Sequence, residues 1–92
     1  MIRAFRHKGL KRLYDDGDPS KLRPDLVDRI VLILSQLDRA RTIDALAHPS
    51  LRLHPLKGGL KGYWAVTVRA NWRIIFRFDS GNVFDVDLVD YH

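Results

Sequence analysis

Three strand-like runs crowd the last third of the chain: "GYWAVTVR", "WRIIFRF" and "VFDVDLVD". They are rich in aromatic and β-branched residues, the types that fit a pleated, half-buried surface. Only "AN" separates the first from the second, and only "DSGN" the second from the third. Such short links leave the chain no route except back alongside itself, so the runs predict an antiparallel meander. Register follows from the faces. Pairing Phe78 with Phe84 sets Phe76 on Val86 and Ile74 on Leu88, which collects the apolar side chains on one face. Arg77 then sits beside Asp85 on the other, Arg73 opposite Val89, and Tyr91 diagonally from Arg73. That second face is expected to be free and polar, carrying Tyr63, Arg69, Arg73, Arg77 and Tyr91.

A sheet with one buried face needs a cover, and the first half supplies it. "MIRAF" reads as a short opening strand. "HKGLKRLYDDG" has Leu10, Leu13 and Tyr14 at helical spacing, with Gly17 as a stop. Gly9 weakens this helix by roughly 1 kcal/mol relative to Ala. Its charges also oppose the helix dipole, bases early and Asp15 and Asp16 late, so binding explains the N-terminal bases more easily than stability does. "PDLVDRIVLILSQLDRA" is a stronger helix. Pro24 stands in the first turn, and Leu26, Ile30, Ile33 and Leu37 form one stripe with Val27 and Leu34 beside it. "TIDALAHPS" predicts a turn of helix and a loop, and "LRLH" a short strand broken by Pro55. The expected fold is α+β: one small domain spanning residues 1–92, an N-terminal strand and two helices packed on one face of an antiparallel sheet.

Charge is unevenly laid out in this 92-residue chain of net charge +5. Residues 1–14 hold Arg3, Arg6, Lys8, Lys11 and Arg12 and no acid. Residues 45–78 hold Arg52, Lys57, Lys61, Arg69, Arg73 and Arg77, again without an acid. Blocks of this kind are either a surface for a polyanion or a solvated face. The chain lacks cysteine, which removes disulfides and thiol nucleophiles and is compatible with a reducing compartment. No apolar run approaches the roughly 20 residues of a membrane span, and "MIRAFRHKG" has no secretory h-region. A cytoplasmic location without membrane contact is expected.

Two short motifs carry candidate chemistry. "LHPLKG" places His54 and Lys57 three residues apart in a Pro- and Gly-containing loop. An imidazole with a reference pKa of about 6.5 suits proton transfer near neutrality, and a lysine can hold a phosphate as a point charge. The plainer reading is a loop histidine and a solvated lysine. "DLVDYH" closes the sequence with Asp90, Tyr91 and His92, three side chains able to move or accept protons. The plainer reading there is a frayed tail. His7 and His48 read as structural or incidental. The histidines lack a metal-binding spacing such as H-E-x-x-H, and no P-loop, GxGxxG or G-x-S-x-G occurs. No metal or cofactor is expected. Histidine, tyrosine and acid for proton transfer, with Arg and Lys for charge, are the needs of RNA cleavage through its own 2′-hydroxyl.

The same residues carry a family resemblance. "FRHKGLKRLY", "RLHPLKGGLKGYWAVTVRANWRIIFRF" and the final "VDYH" resemble the HigB-type toxins of the RelE/ParE superfamily of bacterial type II toxin–antitoxin systems, along the whole chain. The resemblance implies a RelE-like fold and an mRNA endonuclease that acts in the ribosomal decoding site and is held inactive by an antitoxin. That antitoxin is typically a helix-turn-helix, HigA-like protein, and the pair reaches operon DNA through it. The motifs carry over His54, Asp90, Tyr91 and His92 as catalytic residues, with Lys57 and Arg73 at the phosphate, and leave base and acid unassigned. Arg3, Arg6, Lys8, Lys11, Arg12, Lys61, Arg69 and Arg77 are expected to meet RNA or the ribosome. Two other readings stand beside this one: a ParE-like toxin that poisons DNA gyrase, and a basic RNA-binding module without chemistry.

Overall fold

A computed structural model describes residues 1–91; His92 lies outside the described residues. Two helices, α1 (Lys8–Asp16) and α2 (Pro24–Arg39), precede a sheet of β1 (His54–Pro55), β2 (Tyr63–Arg69), β3 (Trp72–Asp79) and β4 (Asn82–Asp90). The strands are antiparallel in the order β1-β2-β3-β4. Single 3₁₀ turns at Ile43–Leu46, Pro49–Leu51 and Gly58–Leu60 fill the connections. No described helix is long and apolar enough to cross a membrane.

Local chemistry sets the ends of α1. His7 Nδ1 accepts the Leu10 amide at 3.2 Å, a side-chain N-cap. Gly17, at φ 69°, closes the other end, with its amide on the Leu13 carbonyl and that of Asp18 on the Arg12 carbonyl. Lys11 pairs with Asp15 one turn on, and Arg12 with Asp18 at 2.7 Å. These pairs offset part of the unfavourable dipole, so two of the N-terminal bases serve the helix as well. In α2 the expected stripe is the buried one: Leu26, Ile30, Ile33, Leu34 and Leu37 pack over Val66, Ile74, Phe76 and Val86.

The opening segment does not form the expected full strand. It runs parallel to β4 through two separate bridges, Ile2 to Val83 and Phe5 to Val86. The interruption comes from β4 itself. Asp85 adopts φ 55°, and the β3–β4 register slips there, giving β4 one extra residue. The bulge also corrects the predicted pairing. Ile74 faces Leu88 and Arg73 faces Val89 as expected, but beyond the bulge Phe78 meets Val83 and Arg77 meets Phe84. Val83 is therefore buried in the core, and Phe84 is turned to the opposite face. The link between these strands is a two-residue turn with Ser80 at φ 50° and Gly81 at φ 82°, both positive as a type I′ hairpin requires.

The outer face is not bare. Leu56, Ala65 and Ile75 are buried there, with Leu60, Tyr63 and Val89 packed around them. The "HPLKGGLKG" segment thus lies over the sheet as a small apolar lid. The expected strand "LRLH" is displaced as well: Leu51 ends a 3₁₀ turn, and pairing starts at His54. Pro55 is tolerated because β1 is an edge strand.

Candidate active site

Strand alternation sorts the outer-face side chains into rows. One row runs His54, Ala65, Ile75, Asp87; the next runs Thr67, Arg73, Val89; a third, at the β3–β4 turn, runs Tyr63, Arg77, Phe84. His54 and Arg73 stand two strands and one row apart on the same face, roughly 12 Å between backbones. Tyr91 follows at the Arg73 end, where its amide bonds the Asn71 carbonyl at 2.7 Å. Tyr91 is exposed.

His54 is held by a defined hydrogen bond. Its Nδ1 lies 3.0 Å from the Arg52 carbonyl. A carbonyl only accepts, so Nδ1 is the donor, which leaves Nε2 as the ring position free to exchange a proton. Arg52 presents that carbonyl from a left-handed conformation, φ 50°, at the end of the Pro49–Leu51 turn. His7 and His48 have the reverse arrangement. In each, Nδ1 accepts a backbone amide, from Leu10 and from Ser50. Both are capping residues, which separates them from His54 in kind.

Arg73 Nη1 bonds the carbonyls of Ala70, at 2.5 Å, and Trp72, at 3.1 Å. That anchors one edge of the guanidinium to the β2–β3 hairpin. Its other three N–H groups make no hydrogen bond among the described residues and suit a phosphate. Directly across, Thr67 Oγ1 is buried without a partner among the described residues. Lys57 is exposed at the start of the Gly58–Leu60 turn.

Other expected residues are placed differently. Asp90 pairs in register with Trp72, whose side chain packs on the helix-side core, so alternation sets Asp90 on the face opposite Arg73. A carboxylate that does share Arg73's face, one row away, is Asp87, whose Oδ1 accepts the Leu88 amide at 2.9 Å. Arg69 leaves the expected free face too. A register shift between Thr67 and Arg69 pairs it with Trp72, and its guanidinium comes 3.9 Å from Asp25 at the start of α2. Arg77 remains on the outer face, bonded to Asp85 at 3.3 Å. Arg3 bonds the Asn82 side chain at 2.9 Å, while Arg6, Lys8 and Lys61 are exposed. The role expected of His92 falls outside the described residues.

The sequence reading missed Phe84 on this face. Its signal was the spacing of Val83 and Val86 around Asp85, which breaks strict alternation. Together with Lys61, Tyr63, Arg77 and Asp85, Phe84 lines a cleft of about 710 Å³ beside the β3–β4 turn. Among the described residues no three His, Asp or Glu side chains gather to hold a metal ion.

Residues 3–92 match the family described as the HigB-like toxin, "RelE-like toxin of type II toxin-antitoxin system HigB". The chain is 47% identical over 92 residues to Endoribonuclease HigB of Proteus vulgaris, covering all of both chains. It is 30% identical over 83 residues to Toxin HigB-1 of Vibrio cholerae serotype O1, covering 88% of this chain and 87% of that one. Among solved structures, the heterotetrameric YoeB-YefM toxin-antitoxin complex from Staphylococcus aureus contains a chain of the same fold, with a TM-score of 0.61 at 18% identity, covering 100% of this chain and 98% of that one.

Proposed function

The chain belongs to the HigB-like toxins of type II toxin–antitoxin systems, and from that premise we propose how it acts as an endoribonuclease. It cuts mRNA on the ribosome by attack of a 2′-hydroxyl oxygen on the adjacent phosphorus. The P–O5′ bond breaks, leaving a 2′,3′-cyclic phosphate and a 5′-hydroxyl. His54 Nε2 takes the 2′ proton. Arg73 and Lys57 hold the phosphate and the charge that builds on it. Tyr91 and His92 serve the leaving oxygen, which needs a proton.

The observation that carries this reading is the His54–Arg52 hydrogen bond. It fixes the tautomer a general base needs, on the same sheet face as an anchored guanidinium. General-base catalysis by one side chain is worth typically 10²–10⁴-fold. The partners proposed are mRNA, the ribosome and a helix-turn-helix, HigA-like antitoxin, with operon DNA reached only through the antitoxin.

Brief induction in cells followed by mapping of mRNA 5′ ends tests the activity. New 5′-hydroxyl ends on translated messages are expected, absent from His54→Ala. Purified toxin should cut message on ribosomes and leave the same naked RNA largely intact at nanomolar concentration, because the ribosome supplies the alignment. Intact mRNA with stalled replication would point instead to a gyrase-directed toxin.

A further inference from the structure

We propose that the cleft beside the β3–β4 turn is a nucleotide-binding subsite that holds the message strand flanking the cut; this rests on the function proposed above. The cleft lies on the same outer face as His54 and Arg73, at the opposite end of β3. Arg73 and Arg77 are four residues apart on one strand, roughly 13 Å. That is far enough for the cleft to take a different nucleotide from the reacting one, and near enough to be reached by the same strand.

Its lining has the two elements of single-strand recognition. Tyr63 and Phe84 flank Arg77 in one cross-strand row, both half-buried, so each keeps ring surface open to solvent. A base can stack on such a ring whatever its identity. Lys61 and Arg77 supply positive charge. Arg77 is bonded to Asp85 at 3.3 Å, and its side chain is more than half exposed. A surface pair of this kind contributes little, so a phosphate can share or replace the carboxylate.

The bulge is the second, independent observation. Without the extra residue at Asp85, Phe84 would take the core position and Val83 would face out. The structure accepts a non-glycine residue at φ 55° there and thereby turns an aromatic ring into the cleft. Bulges commonly re-aim a side chain in this way. The volume, about 710 Å³, is within the range of ligand sites.

The test uses the full-length toxin and a short RNA whose cleavable position carries a 2′-deoxy sugar, so that binding is read without cutting. In an NMR titration the ring resonances of Tyr63 and Phe84 should shift with the oligonucleotide. Phe84→Ala should weaken its affinity roughly 5- to 150-fold, the range for losing one stacking ring. Phe84→Leu, which keeps apolar bulk, guards against misfolding and should weaken it as well. Lys61→Glu should weaken it and reduce its salt dependence. On ribosomes, these variants should raise KM and leave kcat near wild type. Message carrying 4-thiouridine a few nucleotides from the cut should cross-link to residues 77–85.

Unshifted rings and unchanged affinity in all three variants would overturn the subsite even if wild-type toxin cuts mRNA normally. Cross-links from residues 77–85 to ribosomal RNA alone would overturn the assignment to message. Oligonucleotide binding in the cleft by a toxin that never cuts would keep the subsite and sink the nuclease reading.

Discussion

Tyr14 donates its phenolic hydrogen to Asp38 Oδ1 at 2.7 Å, and the same oxygen accepts the Ile2 amide at 3.0 Å. One carboxylate therefore ties α1, α2 and the N-terminal segment together. The hydrogen bond from Tyr14, then that from Ile2, hold the Asp38 carboxyl below its ordinary range. The bond to Asp38 pushes Tyr14 up to about 12. The signs differ. Asp38 stabilises the fold above its unfolded pKa of about 3.9, and this is lost as pH falls through the lower folded value. Tyr14 stabilises it below about 10, and this is lost as pH rises toward 12. Tyr14→Phe should cost about 1 kcal/mol near neutrality, soften the acid-side loss and abolish the alkaline step. Thermal melts across pH check all three.

Gly9→Ala should destabilise, against helix propensity, which alone favours Ala by roughly 1 kcal/mol. An added Cβ would lie 2.9 Å from His7 Cε1 and 3.0 Å from Lys21 Cβ, so the capping ring must move. A thermal midpoint above wild type would show that the cap yields without cost.

Thr67→Val should stabilise. The hydroxyl is buried with no described partner, and a methyl of similar shape removes that burden, worth about 1–3 kcal/mol in mutational data. Denaturant melts measure it.

Arg73→Ala should lower kcat by roughly 10²–10³-fold, the loss typical of one transition-state donor, with ribosome affinity nearly intact. Arg73→Lys should recover little, because a point charge cannot keep the hairpin carbonyls and a phosphate at once. Single-turnover cutting beside a sedimentation binding assay separates the two effects.

The N-terminal bases should divide by their pairing. Lys11 and Arg12 have local acids; Arg6 and Lys8 form no ion pair among the described residues. Replacing Arg6 and Lys8 with Ala should therefore weaken ribosome binding and flatten its salt dependence. Replacing Lys11 and Arg12 should cost more in stability and less in binding. Equal salt slopes for the two double variants would remove the distinction.

Periodicity was enough to read α2 and the three long strands, because each buries a long apolar stripe. The Arg73–Val89 register followed from the same faces. The bulge at Asp85 was not legible in that way: one extra residue leaves composition untouched and reverses which of Val83 and Phe84 is inside. The lid on the outer face escaped because Leu56 and Leu60 sit in a Pro- and Gly-containing loop with no period. At the site, residue types pointed to His54 and Arg73 and set His7 and His48 aside as structural, and the geometry shows what that structural role is: both are caps. Asp90 and Asp87 differ by their place in the alternation, which motif reading does not weigh.

The N-terminal segment docks along β4, and Met1 reaches the Gly81 carbonyl, 80 positions away. That segment has no strand to dock on until β4 has formed. Contacts of such separation close late and slow folding. The strand they wait for is also the one that brings Val89 and Tyr91 beside Arg73. On the function proposed above, core closure and assembly of the face that cuts then become one event in time.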